Sequence, residues 1–230
     1  VLVNLLPPPP PTVMNATYVA GSKSNPSDIK SLVTVTPVGT TLKWCDPTGT
    51  TCTTIPPTLP TKPGTYIWCV KSIDIVTLLS STCAMDTVTI IDPYTVMVLS
   101  KVAKSVKLNP DGTIMVTFVM QAKNKTNALM DNVSIKDDLV STFNTTSGIV
   151  VYSLETFGGL IKNSGYDGIS NIDLVSTASK IESKKTDSLI LKVLLESPRI
   201  SGNLLNIATL AGTTEYGKVS VLSNDPIANA

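Results

Sequence analysis

The most constraining feature of this sequence is an apolar alternation that begins after Asp111. Read in steps of two, the residues on one side are Ile114, Val116, Phe118, Met120 and Ala122, with Thr117, Gln121 and Lys123 on the other. Side chains point to opposite faces along a β-strand, so this period of two predicts a strand with one face in a core. Turn-forming residues bound the strand at 109–112 and at 124–127.

Asp137 stands on the apolar side of the alternation that follows. Val133 and Ile135 resume the pattern, and the same parity carries Asp137 toward the core. A carboxylate in a core is costly unless it is paired, hydrogen-bonded or used in chemistry. We therefore expect Asp137 to have a buried partner.

The composition favours an all-β protein of two tandem immunoglobulin-like β-sandwich domains. Val, Ile and Thr are abundant, turn residues recur about every ten residues, and no long helical period appears. The 230 residues are 42% apolar, which is enough for two cores. We place a proline-rich spacer at 1–12, one sandwich at 13–92, a second at 93–224, and a linker to a following module at 225–230.

Charge and hydropathy argue against two classes of partner. A formal net charge of +1 provides no field that would attract nucleic acid or an anionic membrane. The longest apolar runs, such as Leu189–Leu195, are too short to span a bilayer. Val1 begins no signal peptide, so we expect a mature piece of a longer chain.

The sequence contains no histidine. Ser-His and Cys-His nucleophile pairs, imidazole zinc sites and the commonest general base are therefore excluded. Chemistry by carboxylates or lysines remains open, but no segment has the pattern of an active site. We expect no enzymatic activity.

The four cysteines all lie in the first half of the chain and allow three pairings. We favour Cys45–Cys52, which would close a hairpin around Thr48-Gly49, together with Cys69–Cys83, which would close the next hairpin. A Cys45–Cys69 bridge between neighbouring strands is the main competitor. Zinc is the alternative chemistry, but no C-x-x-C spacing supports it. Disulfides imply export from the cytoplasm.

Several motifs follow one another between residues 15 and 91. They are LKW at 42–44, the Thr/Gly-rich turn CDPTGT at 45–50, the Pro-rich loop PPTLPTKPGTY at 56–66, an aromatic pair with Val at 66–70, and a late Cys83. This order resembles the immunoglobulin-like modules of very large Bacteroidetes surface proteins. Those modules usually pair an early Cys with the late one. The early position here reads Tyr18-Val19-Ala20, and this departure is a further reason to pair Cys83 with Cys69.

A second series of motifs covers nearly all of residues 93–226. It comprises SK at 100–101, NPDGTIMVTF at 109–118, NVSIKDDL at 132–139, TF at 142–143, NSGYDGISNIDL at 163–174, NIATLAG at 206–212 and SNDP at 223–226. The series resembles the conserved repeat domain of bacterial surface proteins, in the version found in Bacteroidetes adhesins of the gliding-motility type. In that family, the modules repeat along very long secreted chains.

Two polar constellations in the second sandwich are candidate sites. A calcium-type loop would take its oxygen ligands from Asn163, Asp167, the Ile169 carbonyl, Asn171 and Asp173, although no Glu follows at 174. The alternative is a turn that is held by its own side chains.

The second constellation joins Asp137 to Asn206, which shares the inward parity of Leu204 and Ala208. Related surface domains of Gram-positive adhesins form intramolecular Lys–Asn isopeptide bonds with the help of a buried acid. This resemblance implies the same bond here, from Lys101 or Lys104 to Asn206 with Asp137 as the acid. A hydrogen-bonded polar cluster without covalent chemistry is the alternative. In addition, Asp86-Thr87-Val88 and Asp187-Ser188-Leu189 resemble Bacteroidetes O-glycan acceptors at Thr87 and Ser188.

Together these features predict a non-enzymatic stalk or filament segment of a secreted cell-surface adhesin, in gliding motility or surface attachment. Its expected partners are neighbouring modules of the same chain, further copies of itself, and surface glycans or the substratum. The alternative is a stand-alone glycan- or ligand-binding module. Reproducible binding by this fragment alone on a glycan array would favour that alternative.

Overall fold

The computed structural model describes residues 6–22, 24–145, 147–196 and 205–224. The linker at 225–230 and residues 1–5 of the spacer lie outside these ranges. Contacts divide the chain into two compact units, Val1–Asp92 and Pro93–Ala230. Each unit is built mainly of β-strands, so the predicted all-β sandwich class is confirmed.

Unit 1 contains seven strands and a 3-10 helix at Ile29–Leu32. The strands are β1 (Thr12–Val13), β2 (Ala16–Val19), β3 (Val33–Val35), β4 (Thr40–Cys45), β5 (Cys52–Thr53), β6 (Gly64–Asp74) and β7 (Ala84–Ile91). Five of them form a sheet in the order β2-β7-β6-β4-β5, and β1 pairs separately with β3.

The core of unit 1 forms on one face of the five-stranded sheet. Trp44 is buried in this core, and Trp68 packs against the buried cluster. Val70 and Val88 come from neighbouring strands, and the 3-10 helix contributes Ile29 and Leu32 from the opposite side. Burial of these apolar side chains on two facing layers stabilises the unit.

The end of the proline-rich segment belongs to unit 1. The Ser72 hydroxyl donates a hydrogen bond to the carbonyl of Pro9, Pro11 is buried, and Thr12 pairs with Val35 as the start of β1. Pro9–Thr12 therefore packs on unit 1, although the sequence pattern assigns residues 1–12 to a proline-rich spacer. A local proline pattern predicts an extended backbone, but it does not predict what that backbone packs against.

The described part of unit 2 contains seven strands, a 3-10 helix at Pro93–Thr95 and one short α-helix. The strands are β8 (Met97–Leu108), β9 (Ile114–Asn124), β10 (Asp131–Asp137), β11 (Ile149–Phe157), β12 (Thr186–Leu195), β13 (Ala208–Thr214) and β14 (Gly217–Asn224), and the helix is α1 (Leu139–Phe143). The sheet order is β10-β13-β14-β8-β9-β12-β11. Among the described residues, which end at Asn224, two residue pairs join β14 to β8, in parallel register.

This sheet folds back on itself to make a sandwich. In a flat sheet, β10 and β8 would lie three strand spacings apart, about 14 Å. However, a side chain of β8 contacts a side chain of β10 directly, at 2.6 Å from Lys101 to Asp137. The β10-β13-β14 half must therefore face the β8-β9-β12-β11 half, and the core lies between them.

Candidate functional site

Lys101 points into the core of unit 2 from β8. Met97, Leu99 and Lys101 alternate as buried residues, and Lys101 is 5% exposed. The strand register shifts between Ala103 and Ser105, and Lys104 at this irregularity is exposed. Of the two lysines that the sequence left open, Lys101 is therefore the one inside the sandwich.

Asp137 is the direct partner of this lysine. The Nζ of Lys101 lies 2.6 Å from Oδ1 of Asp137, and the two side chains are 2% and 0% exposed. Nζ also lies 4.8 Å from the centre of the Phe118 ring. The buried Tyr166 donates a hydrogen bond of 3.3 Å from its hydroxyl to the backbone carbonyl of Asp137. The expectation that Asp137 has a buried partner is met.

Asn206 completes the cluster from the segment just before β13. Its Oδ1 accepts a hydrogen bond of 2.7 Å from the Thr142 hydroxyl. Its Nδ2 and the Oδ2 of Asp137 are both buried and have no hydrogen-bond partner among the described residues. Asn206 lies close enough to Asp137 to favour the charged carboxylate, although neither of these two atoms makes a hydrogen bond within normal distance.

Helix α1 positions the hydroxyl that holds Asn206. The Asp138 side chain accepts a hydrogen bond from the backbone N–H of Ser141 and so caps the first turn. Asn144 ends the helix in a left-handed conformation. The sequence did not predict Thr142, Phe118 or Tyr166 as parts of this cluster. Thr142 lies in a helix of five residues, which is too short to show a helical period in the sequence.

Burial shifts the pKa values of Lys101 and Asp137 in opposite directions. It lowers the pKa of Lys101 to about 8, against the opposing effect of the charge and hydrogen bond of Asp137. Burial also raises the pKa of Asp137, although Lys101 works against that rise. Both shifts favour the neutral forms, an amine and a carboxylic acid.

The predicted calcium loop is held by its own hydrogen bonds. Asp167 Oδ1 accepts from the backbone N–H groups of Ile169, Ser170 and Asn171, and Oδ2 accepts from the Ser170 hydroxyl. These bonds hold the pKa of Asp167 well below its usual range.

The other expected calcium ligands also take part in local contacts. Asn163 donates from Nδ2 to the Asp173 carbonyl and to Oδ1 of Asn171, while the Asp173 carboxylate accepts from the Ser134 hydroxyl and lies 3.6 Å from Nζ of Lys136. Within the described residues, no group of three or more His, Cys, Asp or Glu side chains has the arrangement of a metal site. Both alternatives, a calcium site and a turn that is held by its own side chains, stay predictions.

Unit 1 contains two disulfides, Cys45–Cys52 and Cys69–Cys83. These are the two pairings that we favoured from the sequence, because each would close a hairpin. The first bridge links facing residues of β4 and β5, with a Cα–Cα distance of 4.0 Å. The second has a Cα–Cα distance of 5.1 Å and spans 14 positions of the sequence.

Unit 1 also holds a buried acid, Asp86, which the sequence pointed to only as part of a glycan-acceptor motif. Asp86 is fully buried on β7, in phase with Val88 and Ile90, and neither of its carboxylate oxygens has a hydrogen-bond partner among the described residues. Burial raises the pKa of Asp86 to about 6. The same parity argument that identified Asp137 would have found Asp86.

The two expected O-glycan acceptors lie within strands. Thr87 is half-buried on β7, and its backbone N–H donates to Oδ1 of Asn15. Ser188 is half-buried on β12, between Gln121 of β9 and Phe157 of β11. Glycosylation at either residue stays a prediction.

In the described ranges of the chain, no helix is long and apolar enough to cross a membrane.

No protein-family model matches the sequence, and no curated protein matches it. Solved structures with partial similarity include the full-length major pilin SpaD of Corynebacterium diphtheriae, at 11% identity and a TM-score of 0.39, with 90% of this chain and 64% of that one covered. The major pilin subunit BcpA of Bacillus cereus aligns at 10% identity and a TM-score of 0.34, covering 90% and 66%.

The C-terminal domain of the Streptococcus agalactiae AgI/II polypeptide BspA aligns at 10% identity and a TM-score of 0.30, covering 74% and 61%. The chain thus spans less than two thirds of the length of each of these three structures. Likeness of this extent does not identify a function.

Proposed function

We propose that this chain is a structural segment of a secreted bacterial surface adhesin, of the Bacteroidetes gliding-motility type, that it transmits tension, and that unit 2 forms an amide bond between Lys101 and Asn206. The observation that carries the proposal is the buried contact of Lys101 with Asp137, together with the nearby Asn206, whose amide nitrogen has no hydrogen-bond partner among the described residues. The two disulfides of unit 1 support secretion.

The protonation state of the cluster favours a reactive lysine. A buried ion pair must repay the desolvation of both charges, which is expensive in a core. Moving one proton along the 2.6 Å contact from Lys101 to Asp137 removes both charges. The product is a neutral amine, which is a nucleophile, beside a carboxylic acid, which can donate a hydrogen bond.

The proposed step is an exchange of one amide for another. The lone pair of Nζ attacks Cγ of Asn206, while protonated Asp137 donates a hydrogen bond to the carbonyl oxygen and stabilises the charge that develops there. The C–N bond to Nδ2 then breaks, and a proton from Nζ passes through the Asp137 carboxyl to the leaving nitrogen. One amide bond forms, one breaks, and one ammonia leaves, with no oxidant or reductant involved.

The proposed bond would carry tension past most of unit 2. Lys101 lies five residues into the strand region that begins at Met97, and Asn206 lies two residues before β13. Force that enters at Pro93 and leaves at the end of β14 would pass from Lys101 directly to Asn206. The chain between these two residues would then bear no load.

Stretching single molecules of the full chain between two surfaces tests this function. With the bond, unfolding of unit 2 releases only the residues outside the Lys101–Asn206 loop. Without it, about 100 further residues extend, which adds roughly 350 Å. The variant Asn206→Ala should show this added length, and Asn127→Ala, which changes an exposed asparagine outside the cluster, should not.

The proposal fails if the unaltered chain gives the same released length as Asn206→Ala. A weaker unfolding force with an unchanged released length would indicate that the cluster acts through hydrogen bonds alone.

A further inference from the structure

We infer that the two disulfides of unit 1 form one thiol–disulfide exchange site, in which Cys45–Cys69 is an alternative bridge that a dithiol reductant brings about. The strand register carries this inference. Cys45 faces Cys52 of β5 on one side and Cys69 of β6 on the other. Residues directly opposite in an antiparallel pair lie about 4.5–5.5 Å apart at Cα, which a disulfide can span.

The four cysteine residues differ in exposure to solvent. Cys45 is 2% and Cys69 is 0% exposed, whereas Cys52 is exposed and Cys83 is half-buried. An external thiol therefore reaches the two native bridges at their outer ends. The two cysteines that it cannot reach are the ones that face each other.

A lysine stands beside the sulfur that would leave. A methyl group on Gly49 would lie 2.8 Å from Sγ of Cys83 and 3.1 Å from Nζ of Lys71, so this Nζ lies within about 6 Å of that sulfur. Lys71 is held there because Nζ donates a hydrogen bond of 2.9 Å to the carbonyl of Gly49. A nearby cation stabilises a thiolate, and a more stable thiolate leaves faster.

The exchange proceeds in balanced steps. A thiolate of the reductant attacks Sγ of Cys52, and Cys45 leaves as a thiolate. Cys45 then attacks Sγ of Cys69, forms the Cys45–Cys69 bond, and releases Cys83, which takes a proton from solvent. The second thiol of the reductant frees Cys52. Overall, the reductant loses two electrons and becomes a disulfide, and the protein keeps one bridge and gains two thiols.

The alternative bridge is also favoured once a single disulfide remains. The native bridges join residues 7 and 14 positions apart, and Cys45–Cys69 closes a longer loop than either. In the chain-entropy model, a bridge that closes a longer loop restricts the unfolded chain more and stabilises the fold more.

Two single variants give the sharpest test, because each removes one outer cysteine. Cys52→Ser frees Cys45, and Cys83→Ser frees Cys69. Peptide mapping of the folded, alkylated variants should find the Cys45–Cys69 bridge in both, with Cys83 alkylated in the first variant and Cys52 in the second. Retention of Cys69–Cys83 in the first and of Cys45–Cys52 in the second would overturn the inference.

Partial reduction of the unaltered chain provides a test that needs no cysteine variant. After two electrons per molecule, the main product should carry Cys45–Cys69 and alkylated Cys52 and Cys83. Lys71→Met should slow its formation roughly three- to tenfold, and Lys62→Met, which changes an exposed lysine elsewhere, should not. A main product that keeps either native bridge, or equal rates in the two lysine variants, would contradict the exchange site.

Discussion

Lys101 and Asp137 lie on strands that are three positions apart in the sheet order, and their side chains meet at 2.6 Å inside the sandwich. The contact therefore joins the two halves of a folded sheet, which within residues 205–224 share two backbone-paired residue positions between β14 and β8. A polar link between halves that few backbone bonds connect is well placed to fix how they face each other. Loss of this link should therefore destabilise the whole of unit 2.

The first prediction concerns this ion pair. Asp137→Ala leaves Lys101 in the core without its carboxyl partner and removes the acid that the proposed amide bond requires, so it should cost at least about 3 kcal/mol. Denaturant unfolding of unit 2 should show a loss of this size. The matched control is Lys180→Gln, since Lys180 pairs with Asp131 at 3.3 Å with both side chains about half exposed. An exposed pair contributes at most about 1 kcal/mol, and equal losses in the two variants would contradict the account.

The second prediction concerns the buried carboxyl of Asp86. Its folded pKa of about 6 lies above the value of 3.8 for the free group. The folded state therefore holds the proton more tightly than the unfolded state, and the stability that this adds is complete below about pH 4 and is lost as the pH rises through 6. At neutral pH, the ionised group costs unit 1 on the order of 2–3 kcal/mol.

Asp86→Asn tests this directly because the amide does not titrate. Unfolding can be followed by tryptophan fluorescence, since both tryptophans of the chain, Trp44 and Trp68, belong to unit 1. The variant should be more stable than the unaltered chain at pH 7.5, and this advantage should vanish at pH 4. A constant difference across this range would show that Asp86 does not titrate as described.

Much of the fold follows from residue alternation, and the exceptions have specific causes. Parity alone placed Ile114 to Ala122 and Asp137 on the core face, because period-two burial is a local property of a strand. Parity could not choose between Lys101 and Lys104, because the register irregularity after Ala103 is set by the neighbouring strand. The packing of Pro9–Thr12 on unit 1 and the Thr142–Asn206 contact depend on residues that are distant in the sequence.

The third prediction compares two Asp-Gly turns. Gly112 and Gly168 both have positive φ, at +84° and +72°. A side chain at Gly112 would meet nothing within 4 Å, whereas one at Gly168 would lie 2.4 Å from Cδ1 of the fully buried Leu139. Gly112→Ala should cost about 1–2 kcal/mol for the left-handed backbone alone, and Gly168→Ala about 1–3 kcal/mol more for overpacking. Equal losses in chemical unfolding would argue against close packing of this loop on α1.

The fourth prediction separates a turn from a calcium site at Asp167. Because the carboxylate accepts hydrogen bonds from three backbone N–H groups and a hydroxyl of its own loop, Asp167→Ala should lower the melting temperature of unit 2. In calorimetry, this decrease should be the same with and without a chelator, and the chelator should leave the unaltered chain unchanged. A chelator that lowers the transition of unit 2 in the unaltered chain, but not in Asp167→Ala, would show instead that calcium binds this loop.

The most direct test of the central proposal is the intact mass of the full chain after reduction and alkylation of its cysteines. If Lys101 and Asn206 are joined, the mass is lower than the sequence requires by one ammonia, and fragmentation yields a branched peptide that contains both residues. Asp137→Ala and Asn206→Ala should each restore the full mass expected for the variant, while Lys180→Gln should keep the loss. The covalent bond would be contradicted if the unaltered chain has the full mass that its sequence requires and if Lys101 and Asn206 are recovered in separate linear peptides.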